Sequence, residues 1–127
     1  MALNNNELRK YIKKEIQIAT GWNAKFNIAC DINKIPYITF EYHILLTEDG
    51  GKYTIELTVD GWDKGLPYDV IAAIDKLDKA FKCHKGNTDE FLIQIYHGPG
   101  RGFIEDEDKE IQHLQRKYDV IVYEKGE

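Results

Sequence analysis

Two extended segments on either side of a glycine turn constrain the fold most strongly. Residues 37–44 are rich in β-branched and aromatic side chains, and Pro36 prevents a helix from running into them. Residues 53–60 alternate between apolar and polar side chains, which is typical of a strand with one buried face. Gly50 and Gly51 lie between the two segments, and glycine adopts the positive φ of a tight turn without steric cost. The sequence therefore predicts a β-hairpin with one apolar face.

Two other segments have the spacing of amphipathic helices. From about residue 6 to residue 19, apolar side chains recur every three or four positions, and Gly21 is suited to ending the helix in a left-handed conformation. A second helix is predicted over about residues 67–82, since Pro67 fits a first helical turn, where its missing N–H is not needed. Each helix has one apolar stripe, so each is expected to pack on a sheet.

The remainder of the chain predicts two further strands. Residues 91–96 form a short apolar run that is expected to end at a glycine-rich loop, 97–102. Residues 111–118 fit helix and strand spacing about equally, but 119–123 are strongly strand-like and favour one long final strand. The order α-β-β-α-β-β predicts a single α+β domain over residues 1–127, with a mainly antiparallel sheet of about four strands and two helices packed on one face.

Composition supports one globular domain and excludes several classes of protein. The chain has 127 residues, and its 43% hydrophobic fraction is too high for a wholly disordered protein. No segment approaches the roughly 20 apolar residues of a membrane-spanning helix, and the first residues do not resemble a secretory signal. Two cysteines cannot form a disulfide scaffold. We therefore expect a protein made in the cytoplasm with reduced thiols and no membrane partner.

Charge is distributed unevenly along the chain. Residues 1–25 carry +3, which leaves −8 for the rest of a chain with a net charge of −5. The helical spacing of about 100° per residue brings Arg9, Lys10, Lys13 and Lys14 to one face of the first helix. This basic face is either a solvated surface or a docking surface for an acidic partner. A net-acidic chain is a poor candidate for nucleic-acid recognition, which needs a broad cationic surface.

The sequence contains no convincing catalytic or metal-binding motif. Cys83 and His84 are adjacent, and neighbours on a helix point about 100° apart, so they are poorly oriented for proton transfer. The four histidines lack the spacing of a zinc site, and the acidic run 105–108 lacks the pattern of an EF-hand loop. No catalytic activity, metal or cofactor is therefore expected.

Two features remain that suit protein contacts. The loop Gly98-Pro99-Gly100-Arg101-Gly102 lacks the helix start and the Gly-Lys-Ser/Thr sequence of a phosphate site, so it is interpreted as a hairpin-like loop presenting Arg101 and Phe103. Trp62, which is followed by Asp63 and Lys64, is either an anchor at the edge of the core or an exposed interface aromatic.

Several passages together resemble a known family. They are the strand-to-helix passage 55–64 with the helix around 71–77, the passage 103–108 followed by 118–124, and an N-terminal helix ending in Thr20-Gly21-Trp22-Asn23. Their order and spacing resemble the small tail-terminator or tail-completion (neck) proteins of long-tailed bacteriophages and prophages. The resemblance extends over roughly residues 5–124, although each motif is short.

The resemblance implies a structural virion protein, not an enzyme. Such proteins form rings that cap the tail tube and join it to the head-side connector, so the implied partners are other copies of the chain, the major tail tube protein and the connector. DNA would pass through the ring without specific recognition. The basic helix face and the loops are then candidate contact regions, which comprise Arg9, Lys10, Lys13, Lys14, Trp62, Asp63, Lys64, Arg101, Phe103, Glu105, Asp106, Glu107 and Asp108.

Three alternatives remain open. A head-closure or minor tail protein of the same neck would bind the portal-side adaptor in place of the tail tube. A small regulatory module, such as an inhibitor of a host defence nuclease, would mimic DNA with a dense acidic surface, for which −5 is a mild charge. A small hydrolase would depend on Cys83 or on a histidine–carboxylate site.

Overall fold

The computed structural model describes residues 3–27, 36–104 and 110–125. These residues form two helices and one mixed sheet of six strands, which is an α+β architecture. In chain order the elements are α1 (Asn5–Thr20), β1 (Ala24–Phe26), β2 (Tyr37–Glu48), β3 (Lys52–Lys64), α2 (Tyr68–Ala80), β4 (Cys83–Asn87), β5 (Phe91–Ile104) and β6 (Ile111–Glu124).

The strand order across the sheet is β1-β2-β3-β6-β5-β4. Neighbouring strands are antiparallel except β1, which is parallel to β2. β3 pairs with β6 along its full length, from Lys52 opposite Tyr123 to Lys64 opposite Ile111. β3 and β6 are therefore central, and the two shortest strands lie at the edges.

Both helices cover the same side of the sheet, which we call the inner face. The apolar stripe of α1 is fully buried at Leu8, Ile12 and Ile16, and it shares one hydrophobic core with the inward side chains of β3. α2 approaches β3 so closely that a Cβ on Gly61 would lie 2.8 Å from Cγ2 of Val70. The opposite side, the outer face, carries no described helix.

Local signals explain where α1 begins and ends. The side chain of Asn4 accepts a hydrogen bond from the backbone N–H of Glu7 at 3.2 Å, which satisfies one of the free donors of the first turn. Gly21 ends the helix at φ 76°, and its N–H donates to the carbonyl of Gln17 at 2.9 Å.

The structure confirms the hairpin, the two helices on one face and the long final strand, and it corrects the strand count. The sheet has six strands, with one parallel pair, in place of about four antiparallel ones, and the predicted order lacked β1 and β4. β1 has three residues, too few to show a period. β4 begins at Cys83, next to the residue at which the second helix was expected to end, whereas α2 ends at Ala80.

The predicted glycine-rich loop is also corrected. Residues 97–102 lie within β5, which extends to Ile104. The pairing of β5 with β6 is interrupted only between His97 and Arg101, where the register shifts. The glycines and Pro99 therefore mark an irregularity in a long strand, as such residues often do, and not a connection between elements.

Candidate interaction surfaces

An aromatic row crosses three strands at one end of the outer face. The rings of Trp62 and His113 stack with centroids 3.6 Å apart and planes inclined by 19°. Tyr37 lies on the other side of Trp62, at 6.5 Å, and the indole Nε1 donates a hydrogen bond to Oγ1 of Thr39 at 3.3 Å. The row follows from strand register, because Tyr37 and His113 are the residues opposite Trp62 on β2 and β6.

A carboxylate fixes the orientation of the stacked imidazole. Oδ1 of Asp60 accepts hydrogen bonds from Nε2 of His113 at 2.6 Å and from Nε2 of Gln115 at 3.0 Å. His113 is only 8% exposed, so this pair is part of a packed arrangement. We call Tyr37, Thr39, Asp60, Trp62, His113 and Gln115 the Trp62 cluster. Sequence analysis singled out Trp62 but missed the other five, because only the strand register brings them together.

The chemistry of the Trp62 cluster differs from that of a hydrolytic triad. In a triad, the carboxylate binds one imidazole nitrogen and a nucleophile binds the other. The chain contains no serine, and among the described residues no threonine or cysteine forms a hydrogen bond to His113. What the cluster offers is a rigid, half-buried indole held from both sides, which is a suitable anchor for a protein contact.

Exposed apolar side chains lie at the other end of the outer face. Leu46, Leu92 and Tyr123 are 53%, 42% and 37% exposed, and we call them the outer apolar patch. They come from β2, β5 and β6, and Leu92 lies directly opposite Tyr123. Apolar side chains exposed on one face of a sheet mark contact surfaces more often than isolated exposed residues do.

The basic face of α1 borders a groove of about 440 Å³. Its walls include Arg9, Lys10 and Lys13, and Lys25 with two phenylalanines completes it. The guanidinium of Arg9 lies 5.1 Å above the ring of Phe26, and its Nη2 donates to Oδ1 of Asn6 at 2.7 Å. We call this the basic groove. Three of the four basic residues that were predicted to share one face of α1 border this groove, whereas Lys14 is exposed and does not border it.

The predicted group at Trp62, Asp63 and Lys64 does not form one surface. Successive strand residues point to opposite faces, so Trp62 and Lys64 lie on the outer face and Asp63 on the inner face. Asp63 is 8% exposed, and its Oδ1 accepts a hydrogen bond from the backbone N–H of Lys64 at 2.8 Å. The Lys64 ammonium lies 3.7 Å from a carboxylate oxygen of Glu110.

Arg101 is held against α2. Its Nη2 lies 2.7 Å from Oδ1 of Asp75, and its Nη1 lies 3.0 Å from Oδ2 of Asp78. The charges of these two carboxylates raise the pKa of the guanidinium further, although partial burial acts against them. Phe103, in contrast, is 52% exposed at the end of β5. The predicted acidic contacts Glu105, Asp106, Glu107 and Asp108 lie outside the described residues.

Asp78, which forms an ion pair with Arg101, also lies at the centre of a buried polar cluster. Oδ1 of Asp78 accepts hydrogen bonds from Nε of Arg116 and from the hydroxyl of Tyr118, both at 2.7 Å. Nη1 of Arg116 donates to the carbonyls of Gly98, Gly100 and Lys117, which stabilises the irregular part of β5. Asp78, Arg101, Arg116 and Tyr118 form what we call the Asp78 cluster. Its sequence signal was the presence of Asp78 and Arg116 among otherwise apolar, inward positions.

The pKa directions in the Asp78 cluster agree with its geometry. Burial tends to raise the pKa of Asp78, but the hydrogen bonds from Tyr118 and Arg116, with the charges of Arg116 and Arg101, outweigh it and lower that pKa below its ordinary value. Burial and the neighbouring carboxylate raise the pKa of Tyr118. Asp78 is therefore an anion and Tyr118 a neutral donor at neutral pH.

Cys83 and His84 point to opposite faces of β4, so they do not form a reacting pair. Nε2 of His84 lies 2.5 Å from the hydroxyl of Tyr11 on α1, while Cys83 is exposed. Burial, with the neighbouring Glu15 carboxylate, raises the pKa of Tyr11 to about 12. Sequence analysis placed both residues at a helix end, whereas they lie in a strand that alternates its side chains.

Residues 3–27, 36–104 and 110–125 contain no cluster of three or more histidine, cysteine or acidic side chains arranged for a metal ion. Within the same ranges, neither helix has the length and apolar character needed to cross a membrane. Comparison of the chain with protein-family models and with curated proteins finds no match. The proposals below therefore depend on the residues themselves and on the resemblance described above.

Proposed function

We propose that this chain is a tail-terminator or tail-completion protein of a phage or prophage, which forms a ring that caps the tail tube and joins it to the head connector. The observation that carries the proposal is the outer face of the sheet. It has the Trp62 cluster at one end and the outer apolar patch at the other, while both described helices lie on the inner face.

This distribution suits a subunit that has several neighbours at once. A ring protein between a tube and a connector needs one contact toward each, in addition to its contacts with adjacent copies. Apolar and aromatic surface at two separate ends of one rigid sheet provides such contacts without any movement of the core. The four strands β2, β3, β5 and β6 each span 12 to 14 residues, so the two ends are well separated.

Charge supports the same function. Outside the N-terminal region the chain is strongly acidic, and acidic residues near a lumen would reduce the sticking of DNA by like-charge repulsion. The basic groove is a contact for an acidic neighbour, where complementary charge sets the register and the association rate. The protein would act in the virion neck after synthesis in the bacterial cytoplasm.

Electron microscopy of particles made without this protein tests the proposal. We expect unattached tails or tails of irregular length, and we expect the intact gene supplied in trans to restore joined particles. Normal virions from the deletion strain would contradict the proposal. Binding of the purified chain to tail tubes, and not to portal-side adaptors, separates a tail terminator from a head-closure protein.

A pair of variants tests the outer face itself. Leu92→Lys places a charge in the outer apolar patch, whereas Ile18→Lys makes the same change at a residue of α1 that is 67% exposed. Both side chains are exposed, so we expect both variants to fold. Leu92→Lys should fail to restore joined particles and Ile18→Lys should restore them. Equal restoration by the two variants would remove the outer face from the contact.

A further inference from the structure

Among the described strands, β2 at one edge of the sheet is paired with β1 over only part of its length. β1 pairs with β2 from Ala24 opposite Ile38 to Phe26 opposite Phe40, and from Glu41 to Glu48 no described strand lies on that side of β2. The N–H of Ile38 and the carbonyl of Phe40 both bond toward β1. Backbone groups alternate direction along a strand, so those of Tyr42 and Ile44 face the side that no described strand occupies. After the register shift between Ile44 and Leu46, the groups of Thr47 face that side.

This part of β2 lacks several of the usual protections against strand addition, although its register against β3 shifts between Ile44 and Leu46. Residues 41–48 contain no proline, lysine or arginine, which are the residues that commonly prevent an edge strand from pairing with another chain. Ile44, Leu45 and Leu46 are 43%, 62% and 53% exposed. A strand that is extended, partly apolar and without a described partner on one side is a template for a further strand.

Among the described strands, β4 at the opposite edge of the sheet also has a neighbour on one side only. β4 pairs with β5 from Cys83 opposite Tyr96 to Asn87 opposite Leu92, and no described strand lies on its other side. The side chains of Cys83, Lys85 and Asn87 are exposed. The described sheet therefore ends in a free strand at each side.

The two edge strands, β2 and β4, lie at the same position along the strand direction of the sheet. The register runs from Cys83 across β5, β6 and β3 to His43, and from Asn87 to Glu48. Over this span β2 has one residue more than β4, because its register shifts between Ile44 and Leu46. Four antiparallel steps separate β2 from β4, so both strands run in one direction. β4 of a second copy would thus pair parallel to β2, as β1 already does, and would continue the line that β1 begins.

The two edges also carry opposite charges. Residues 41–49 contain three acidic side chains and no lysine or arginine, whereas residues 82–87 contain two lysines and no acidic side chain. Alternation along the strands puts Glu48 and Lys85 on the same face of the sheet, the outer one. When β4 aligns with β2, Lys85 lies diagonal to Glu48, within reach of a long side chain.

We propose that copies of this chain join by pairing the free edge of β2 in one copy, residues 41–48, with the free edge of β4 in the next. The occupant is a second copy because the two edges match in height, direction and charge and belong to one chain. The contact is head-to-tail, so repetition gives a ring when the rotation closes. This inference deepens the proposed function and rests on its ring, for which it supplies the contact between subunits.

Disulfide trapping on the full chain tests the pairing. In a Cys30→Ala background, His43→Cys places a thiol opposite the native Cys83 of the neighbouring copy, at a spacing close to that of a disulfide. Each copy then carries one thiol on each edge, so oxidation of the purified chain should give a ladder of dimers, trimers and larger species. The matched control is Asp119→Cys in the same background, an exposed outer-face position on the central strand β6.

We expect species larger than dimers to be at least tenfold more abundant with His43→Cys than with Asp119→Cys. Adding Cys83→Ser to His43→Cys should leave dimers only. Equal ladders in the two cysteine variants, or no ladder in either, would overturn the proposal. The proposal would be overturned in the same way if β2 paired with a strand of another protein instead. Circular dichroism checks that the variants are folded before oxidation.

Charge reversal gives a second measurement on the same contact. Glu48→Lys and Lys85→Glu should each reduce the ladder several-fold, and the two together should restore it. Failure of the double variant to recover would contradict the alignment of the edges. A ladder from pure protein, with normal virions from the deletion strain, would overturn the proposed function and leave the edge pairing standing, so the two failures are distinguishable.

Discussion

At the scale of single residues, Asp78 has the most demanding environment. Its carboxylate accepts hydrogen bonds from Arg116 and Tyr118 and forms an ion pair with Arg101. Arg116 is 6% exposed, so its charge is tolerated only because the carboxylate and three backbone carbonyls surround it. Removing the aspartate would leave a buried cation without its counter-ion.

We therefore expect Asp78→Ala to lower the free energy of unfolding by about 3–5 kcal/mol, as is typical when one partner of a buried pair is lost. Urea denaturation measures the change. Asp75→Ala is the matched control, because its side chain is 57% exposed and forms an ion pair with Arg101, and it should cost less than about 1 kcal/mol. Equal losses in the two variants would contradict a special role for the Asp78 cluster.

The lowered pKa of Asp78 gives a pH dependence with a definite sign. A carboxyl whose pKa is lower in the folded state stabilises the protein above its unfolded value of about 4. That contribution is lost as the pH falls through the folded-state pKa. The stability difference between the wild type and Asp78→Asn should therefore be constant from pH 5 to pH 7 and narrow below about pH 4. Thermal unfolding of both proteins across this range measures it, and a difference that widens toward low pH would refute the assignment.

At the scale of elements, a helix or strand was predictable where its local sequence pattern was long. The β2–β3 hairpin and both helices were predictable because each has a local sequence pattern of eight residues or more. β1 and β4 have three and five residues, and they form strands mainly because each pairs with a neighbouring strand. That tertiary cause leaves no signal in the segment itself.

Some of the candidate surfaces were also predictable from the sequence, and others were not. The basic face of α1 was predictable from helical spacing alone, since its residues lie on one element. The Trp62 cluster was not, because its residues lie on three strands and meet only through the register of Tyr37, Trp62 and His113. Arg101 was expected in a free loop, but the extension of β5 brings it against α2.

The packing of α2 on β3 depends on the absence of a side chain at Gly61. A Cβ there would lie 2.8 Å from Cγ2 of Val70, so Gly61→Ala should cost about 1–3 kcal/mol through overpacking. Val70→Ala removes the contacting methyl, and we expect the combined variant to lose at least about 1 kcal/mol less than the sum of the two single changes. Urea denaturation of the four proteins in the cycle measures this coupling.

The matched control for this contact is Gly100→Ala. No atom lies within 4 Å of a Cβ at Gly100, so the substitution should change stability by less than about 0.5 kcal/mol. Strict additivity of Gly61→Ala and Val70→Ala, or an equal cost at Gly100, would show that the helix does not depend on close approach at this glycine.

At the scale of the whole molecule, stability and contact surface are separated. The inner face buries the core and the Asp78 cluster, whereas the Trp62 cluster and the outer apolar patch lie on the outer face. Changes to the proposed contacts should therefore affect assembly and leave folding largely intact. This separation makes each contact testable by variants that fold normally.

The basic groove is the contact for which charge alone can be tested. Lys10→Glu with Lys13→Glu reverses two exposed cations, and we expect the free energy of unfolding to change by less than about 1 kcal/mol. Complementary charge mainly accelerates association, so the variant should restore fewer joined particles than the wild type in the deletion strain, and the deficit should shrink at higher ionic strength. Lys76→Glu with Lys79→Glu makes the same change in net charge on exposed positions of α2 and should restore joined particles normally. An equal deficit for both pairs would mean that net charge, and not this groove, governs assembly.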